Sequence, residues 1–268
     1  EEVAAVLHGR DFDCVVHLAA LVSSNDREAL WKANVEATSN LVAALSCERL
    51  ESVLIAGSAA VYGGPPASEL PITEMSALRP ISVYGESFVA REHVARTWAA
   101  TKNTRMTVLR MFNLVGPGQG PNMMIPSIAR QIALIELGQQ EPVIKIGRLD
   151  TRRDFVDVRD AADAFALAIE ATLQLPDIIN VASGCSQLGR DIVDKLLALA
   201  RVPGAVQSTP VVTRANDALD VFGDFSRAHD VLGWRPTHSF SESLSSVLDH
   251  WRVIVAQGTV TTWGATGV

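Results

Sequence analysis

The sequence predicts an α/β fold in which helices cover both faces of a doubly wound parallel sheet. Three observations lead there. Short apolar runs such as Cys14-Val15-Val16-His17-Leu18 lack the polar alternation of a strand with one wet face. Longer segments of helical periodicity separate these runs. The two kinds of segment alternate along most of the 268 residues, with no internal repeat and no low-complexity tract.

Taken in order, residues Glu1 to Leu7 read as the end of a helix and Cys14 to Leu18 as a buried strand. A long helix is expected from Glu28 to Leu45, with Leu30, Asn34, Leu41 and Leu45 along one face. Strand Ser52 to Ala56, helix Ser82 to Ala100 and strand Thr107 to Met111 follow. Gly116, Pro117, Gly118, Gly120 and Pro121 then mark a loop. Beyond it lie helix Ile125 to Leu137, strand Val143 to Ile146, helix Arg159 to Ala171, strand Ile178 to Ala182 and helix Gln187 to Ala200. Val211-Val212-Thr213, a turn near Asp224 and a helix from Ser241 to Val255 complete the pattern.

The totals exclude several function classes. A net charge of −7 argues against non-specific nucleic-acid binding, which needs basic surface to neutralise phosphates. Five tryptophans scattered among helices and tail build no base-stacking platform. No apolar run reaches the roughly 20 residues that span a bilayer, and no basic-then-apolar leader opens the chain. Cys14, Cys47 and Cys185 form no Cys-x-x-Cys pair, and the histidines show no ligand spacing, so neither a disulfide framework nor a metal site is expected. A reducing, cytoplasmic setting fits.

A doubly wound dinucleotide-binding fold opens with a strand, a glycine-rich turn and a helix. Here the residues open inside a later helix, so if the fold is of this kind, about two βα units of ~30 residues each would be missing. Gly264-Ala265-Thr266-Gly267 has the letters of such a turn but neither its strand nor its helix, and reads as tail. The expected division is a nucleotide-binding part over 1–115, with 158–182 returning to it. A substrate-binding part would comprise 116–157 and 183–258, with 259–268 as tail.

Two hydroxyls stand where chemistry belongs. Ser58, in Gly57-Ser58-Ala59-Ala60-Val61-Tyr62-Gly63, follows a buried strand, and ligands of parallel sheets gather outside strand carboxyl ends. Taken alone, such a serine is more often a turn or cap residue. Tyr84 opens the helix after Pro80, where the helix dipole favours phenolate; taken alone, such a tyrosine is more often a packing residue.

Together these segments resemble the extended short-chain dehydrogenase/reductase family, the Rossmann-type nucleotide-sugar epimerases and dehydratases. Further stretches agree in the expected order: His17-Leu18-Ala19-Ala20, the Asn34-Val35-Glu36-Ala37-Thr38 turn, Arg110-Met111-Phe112-Asn113-Leu114-Val115-Gly116-Pro117-Gly118-Gln119, and Arg153-Asp154-Phe155-Val156-Asp157-Val158-Arg159-Asp160. Gln131 to Gly138 and Pro142 to Gly147 resemble most the subgroup of GDP-4-keto-6-deoxy-mannose reductases and GDP-mannose dehydratases. Arg148 stands where that subgroup has an asparagine.

The resemblance implies NAD or NADP as cofactor and a GDP-linked nucleotide-sugar as substrate. It implies Ser58 and Tyr84 as the catalytic pair, Tyr84 donating a proton to a sugar 4-keto oxygen that Ser58 orients. It places His17, Leu18, Ala19, Ala20, Asn34, Ala56, Gly57, Tyr84, Met111, Phe112, Asn113 and Leu114 along the cofactor. Ser58, Ala59, Ala60, Asn113, Gln119, Arg148, Arg153 and Arg214 would line the substrate, the arginines Arg153 and Arg214 on its diphosphate. Dehydratases of the family carry an acidic residue two places after the Ser/Thr; here it is Ala60. A homodimer through the 28–45 and 82–100 helices is also implied.

One position departs from the family. Its Tyr-x-x-x-Lys becomes Tyr84-Gly85-Glu86-Ser87-Phe88. A lysine at i+4 would lie beside the tyrosine, bond the nicotinamide ribose and lower the tyrosine pKa; phenylalanine does neither. Left near pKa 10, a tyrosine is about one part in a thousand ionised at pH 7. Arg91, at i+7, reads as too distant to substitute. Three readings follow: a 4-keto reductase, a 4-epimerase disfavoured by Phe88, or a homologue that binds nucleotide-sugar with impaired turnover.

Overall fold

The computed structural model describes residues 2–22, 24, 26–45, 49–102, 104–203, 205–208 and 219–258. Helix α1 (Glu2–Leu7) leads into strand β1 (Cys14–His17). Then come α2 (Arg27–Trp31), a π-helical turn over Lys32–Glu36, and α3 (Ala37–Ala44). Strand β2 (Ser52–Ser58), a 3₁₀ turn (Ala59–Tyr62), α4 (Val83–Lys102), β3 (Arg105–Met111) and β4 (Asn113–Val115) follow. The chain continues through α5 (Met124–Glu136), β5 (Val143–Ile146), β6 (Arg152–Asp157), α6 (Val158–Glu170) and β7 (Ile178–Val181). It ends with β8 (Ser186–Leu188), α7 (Gly189–Ala198), β9 (Ala205–Ser208), β10 (Asp220–Val221), α8 (Ser226–Leu232) and α9 (Phe240–Ala256).

The main sheet runs β1-β2-β3-β7, parallel throughout. Its central strands are apolar on both faces because both faces are covered. In β2, Val53 and Ile55 join a cluster with Val42, Ala95 and Ala99 of α3 and α4. Leu54, between them, faces the opposite cluster with Ala161, Ala164 and Ala168 of α6. Alternate side chains of one strand thus serve two helical layers, which is why the run shows no polar phase.

A second sheet, β10-β6-β4, is parallel, with β8 antiparallel to β6. Beside it, α5, α7 and α9 close around Ile128, Ile132, Leu196, Leu248 and Trp251. A capping box starts α9: Ser239 Oγ accepts from Glu242 N, and the Glu242 carboxylate accepts from Ser239 N.

Several elements lie outside the sequence expectation. The helix expected to run unbroken from 28 to 45 contains the π turn, whose Asn34 is fully buried. Strand β6 was concealed by its polar letters. Asp154 within it is fully buried, accepting from Ser183 Oγ at 2.6 Å and from the N–H groups of Ser183, Gly184 and Gly223. The expected turn near Asp224 leads into α8, with Asp224 Oδ1 accepting from Ser226 N at 2.6 Å ahead of the Phe225 N-cap. Val211-Val212-Thr213 and Gly264 to Gly267 lie outside the described residues.

Candidate active site

The site grows from the carboxyl end of β2. Ser58 is the strand's last residue, 9 % exposed, and its Oγ accepts from Ala60 N at 3.2 Å to start the 3₁₀ turn. The same hydroxyl is near enough to that of Tyr84 to draw its pKa down against the effect of burial. Cap and chemistry therefore use one oxygen, and the cap fixes where it points.

Tyr84 is the second residue of α4, which Ser82 caps by accepting from Gly85 N at 3.1 Å. Burial pushes the Tyr84 hydroxyl above its ordinary pKa, against the opposing pull of the Ser58 hydroxyl and the positive charge of Arg91. At neutral pH it is protonated, the form a proton donor needs.

Phe88 lies one turn on, 2 % exposed, its ring 4.7 Å from that of Tyr84. Arg91 follows on the same face, with its guanidinium 5.3 Å from the Phe88 ring centre. Arg91, at i+7 and expected to be too far to substitute for the lysine, lies close enough for its charge to act on Tyr84. Positions i, i+4 and i+7 share one helix face, and the guanidinium folds back over Phe88 so that its charge reaches Tyr84. Arg91 is 0 % exposed, and Nη2 donates to His17 O at 3.1 Å. Burial, eased by the nearby Tyr84 and Glu92, brings its pKa down to about 10, leaving it cationic at neutral pH.

Glu92, the next residue, carries a second buried network. Its carboxylate accepts from Arg110 Nε at 3.0 Å and Nη2 at 2.7 Å, while Arg110 Nη1 donates to Tyr62 Oη at 2.9 Å. Tyr62 Oη in turn donates to Asn180 Oδ1 at 2.7 Å. The chain α4–β3–3₁₀ turn–β7 is thereby tied together directly under the hydroxyl pair. Sequence reasoning missed both Arg91 and Glu92. The available signal was that positions 84, 88, 91, 92 and 95 fall on one helical face, which made these charges inward-pointing.

On the β1 side, His17 ends the strand and Leu18 and Ala19 are exposed beyond it. Thr38 Oγ1 donates to Asn34 O at 2.7 Å, so its contact with His17 Nε2 at 2.9 Å is received from a ring N–H. Burial first, and then the Arg91 charge, lower the His17 pKa to about 4, leaving it neutral. Asn34 accepts from Leu21 N at 2.7 Å and donates to Leu21 O and Ser87 Oγ. Its amide is thus spent on holding the strand-end loop against α4. Ala56 and Gly57 lie within β2; a Cβ on Gly57 would meet Val108 Cγ1 at 2.5 Å.

On the far side, Met111 ends β3 and Phe112 is buried against Gly223. Leu114 lies in β4, and Asn113 there donates to Asp154 O at 2.8 Å. Gln119 closes its own loop, donating to Leu114 O and accepting from Gly116 N. Arg148 pairs with Asp150, and Arg153 Nη1 donates to Arg152 O at 2.7 Å. Arg152 donates to Ser186 and pairs with Asp220. Ala59 and Ala60 lie in the turn after Ser58. Arg214 lies outside the described residues.

A hollow lined by Asp13, Ser52, Arg105 and Ala171 sits at the amino ends of the strands. Ligands of parallel sheets bind at the other end, where Ser58 and Tyr84 are. Among the described residues, no cluster of three or more His, Cys, Asp or Glu can hold a metal. No described helix is long and apolar enough to cross a membrane.

A nicotinamide fits the carboxyl end of this sheet. Ser58 ends β2, His17 ends the neighbouring β1 with Leu18 and Ala19 exposed beyond it, and both strands run parallel. His17 to Ala20 would hold it from β1, and Met111 to Leu114 from β3 and β4.

The chain also resembles known proteins along most of its length. The chain is 32% identical over 244 residues to the GDP-6-deoxy-D-mannose reductase of Pseudomonas aeruginosa, covering 89% of this chain and 80% of that one. It is 27% identical to the GDP-6-deoxy-D-talose 4-dehydrogenase of Aggregatibacter actinomycetemcomitans, covering 86% and 76% of the two chains. The solved structure of RMD from Pseudomonas aeruginosa complexed with NADPH superposes with a TM-score of 0.86 at 30% identity, covering 92% of this chain and 84% of that one. Residues 1–182 match the model of the NAD dependent epimerase/dehydratase family, and the chain belongs to that family.

Proposed function

We propose that this protein reduces the 4-keto group of a nucleotide-activated 6-deoxyhexose, GDP-linked in preference, with NAD or NADP as cofactor. The observation that carries the reading is the placement of Ser58 at the carboxyl end of β2 with Tyr84 in the first turn of α4, near enough for Ser58 to act on the Tyr84 hydroxyl. Ser58 orients the keto oxygen, and Tyr84 Oη gives it a proton. When bound, the reduced nicotinamide supplies the hydride to the carbonyl carbon. The raised Tyr84 pKa suits donation, because the acid stays loaded through neutral pH.

Ala60 supports a reductase over a dehydratase, since its methyl cannot move a proton from a neighbouring carbon. Phe88 supports a reductase over an epimerase, since epimerisation also needs the tyrosinate that a neighbouring lysine would favour. Arg153 and Arg214 serve the diphosphate, Asn113 and Gln119 the sugar or the pyrophosphate, and Arg148 lines the substrate. The surface helices α2, α3 and α4 form a homodimer interface.

The test is NADPH oxidation, followed by absorbance, with GDP-4-keto-6-deoxy-mannose. Turnover at least about a hundredfold above a Tyr84→Phe control supports the reading. Turnover equal to that control, with GDP still bound, replaces it with a nucleotide-sugar-binding homologue.

A further inference from the structure

Phe88 occupies the position from which a lysine would place an ammonium beside Tyr84, yet the wall behind Tyr84 is not neutral. Arg91 is 0 % exposed, and only its Nη2 is bonded, to His17 O. Nε and Nη1 are buried without a partner. A desolvated guanidinium with unpaired donors is costly, and an apolar side chain of similar length would avoid the penalty. Its surroundings are few. His17 of β1 is neutral, and Glu92 of α4 is committed to Arg110 of β3. The Arg91 guanidinium also lies 5.3 Å from the centre of the Phe88 ring, which in turn meets the Tyr84 ring at 4.7 Å in a tilted contact.

We propose that Arg91 is the positioning residue for Tyr84 in this protein, supplying through the face of Phe88 the positive charge that the family lysine supplies from position 88. The inference rests on the reading of Tyr84 as the acid. When Tyr84 gives its proton to the substrate oxygen, the proton leaves Oη and the oxygen keeps the negative charge. A fixed cation on the same buried wall stabilises that charge and needs no rearrangement to do so. Phe88 keeps water out of the gap, which strengthens the interaction. Lysine at 88 and arginine at 91 are therefore alternatives, because two unpaired cations one turn apart in a dry wall repel.

The chain has two tyrosines, Tyr62 and Tyr84, so ¹³Cζ-tyrosine labelling yields two NMR signals that a Tyr84→Phe variant assigns. The full chain is titrated into the alkaline range without substrate, with circular dichroism reporting the fold. In Arg91→Met the Tyr84 midpoint rises by roughly one pH unit, while Tyr62, beside Arg110, stays in place. Phe88→Lys added to Arg91→Met brings the midpoint back down, and Phe88→Lys alone lowers the thermal midpoint of unfolding. An unmoved Tyr84 signal in folded Arg91→Met overturns the proposal.

If Arg91→Met does not fold, Arg91→Lys decides. A charge retained without the planar fork must leave the Tyr84 midpoint near that of the parent protein, and a rise of a full unit overturns the proposal. Titration needs no turnover, so an inactive protein whose Tyr84 responds to Arg91 would sink the reductase reading alone. Turnover with an unresponsive Tyr84 would sink this inference alone.

Discussion

Gly85 lies flush against Ala60: a Cβ on Gly85 would stand 2.6 Å from the Ala60 carbonyl oxygen and 3.1 Å from Pro80 Cβ. The contact presses the first turn of α4 onto the turn after Ser58, and so brings Tyr84 within reach of the serine. Backbone cannot swing aside as a side chain can. Gly85→Ala is expected to cost about 1–3 kcal/mol of stability and to lower kcat by roughly tenfold to a hundredfold. Denaturant unfolding and steady-state kinetics read the two effects separately. An unchanged kcat would detach the hydroxyl pair from this packing.

The raised Tyr84 pKa sets the sign of the pH dependence. Reduction needs the protonated phenol, so its kcat/KM stays level through neutral pH and falls only above the ordinary tyrosine range. Oxidation in the reverse direction needs the phenolate and rises with pH over the same interval. A pH–rate profile in each direction checks this, and a reduction rate that declines between about pH 6 and 8 would assign the proton to another group.

The Glu92–Arg110 fork is almost fully buried, with side chains 4 % and 2 % exposed. Burial alone would lower the Arg110 pKa, but the Glu92 bonds and charge hold it above its ordinary value. Glu92→Met strands that cation and is expected to cost about 3–5 kcal/mol; Glu92→Met with Arg110→Met should cost less than Glu92→Met alone. Urea unfolding of the two variants measures the difference. A double variant weaker than the single one would mean that Tyr62 and Asn180 depend on Arg110 more than Arg110 depends on Glu92.

His17 makes folding sensitive to mild acid. Its pKa is about 4 when folded against 6.5 unfolded, so below pH 6.5 the unfolded chain binds the extra proton. Stability is therefore full above pH 6.5 and is lost as pH falls from 6.5 towards 4, by up to roughly 3 kcal/mol. Asp157, which bonds from Arg159 and Ser243 hold at about 2 despite burial, titrates below that window. His17→Leu should flatten the slope between pH 6.5 and 5 in thermal unfolding. An equally steep slope would place the acid sensitivity elsewhere.

Light scattering at micromolar concentration is expected to give twice the mass of the chain. A monomer would remove the interface proposed for α2, α3 and α4, leaving the hydroxyl pair, which one chain supplies entirely, untouched.

Much of this arrangement was legible in the letters. Period and turn residues placed β1, β2, β3, β5 and β7 and the long helices to within a few residues, because a two-sided parallel sheet demands unbroken apolar strands. Ser58 was legible as a strand-end hydroxyl and Tyr84 as a helix-start phenol, and family likeness joined them. Strand β6 was not, because the burial of Asp154 depends on N–H groups from Ser183, Gly184 and Gly223, which come from two other parts of the chain.

Sequence by itself determined the layering of the fold and the candidate hydroxyls, since each follows from residue type at a local spacing, and family resemblance added that Phe88 stands in place of a lysine. Tertiary structure alone decided that Gly85 closes the gap to Ala60 and that Arg91 returns a charge to Tyr84. Those outcomes turn on which way a long side chain folds once it is shut away from water, a choice settled by the neighbours that burial brings to it.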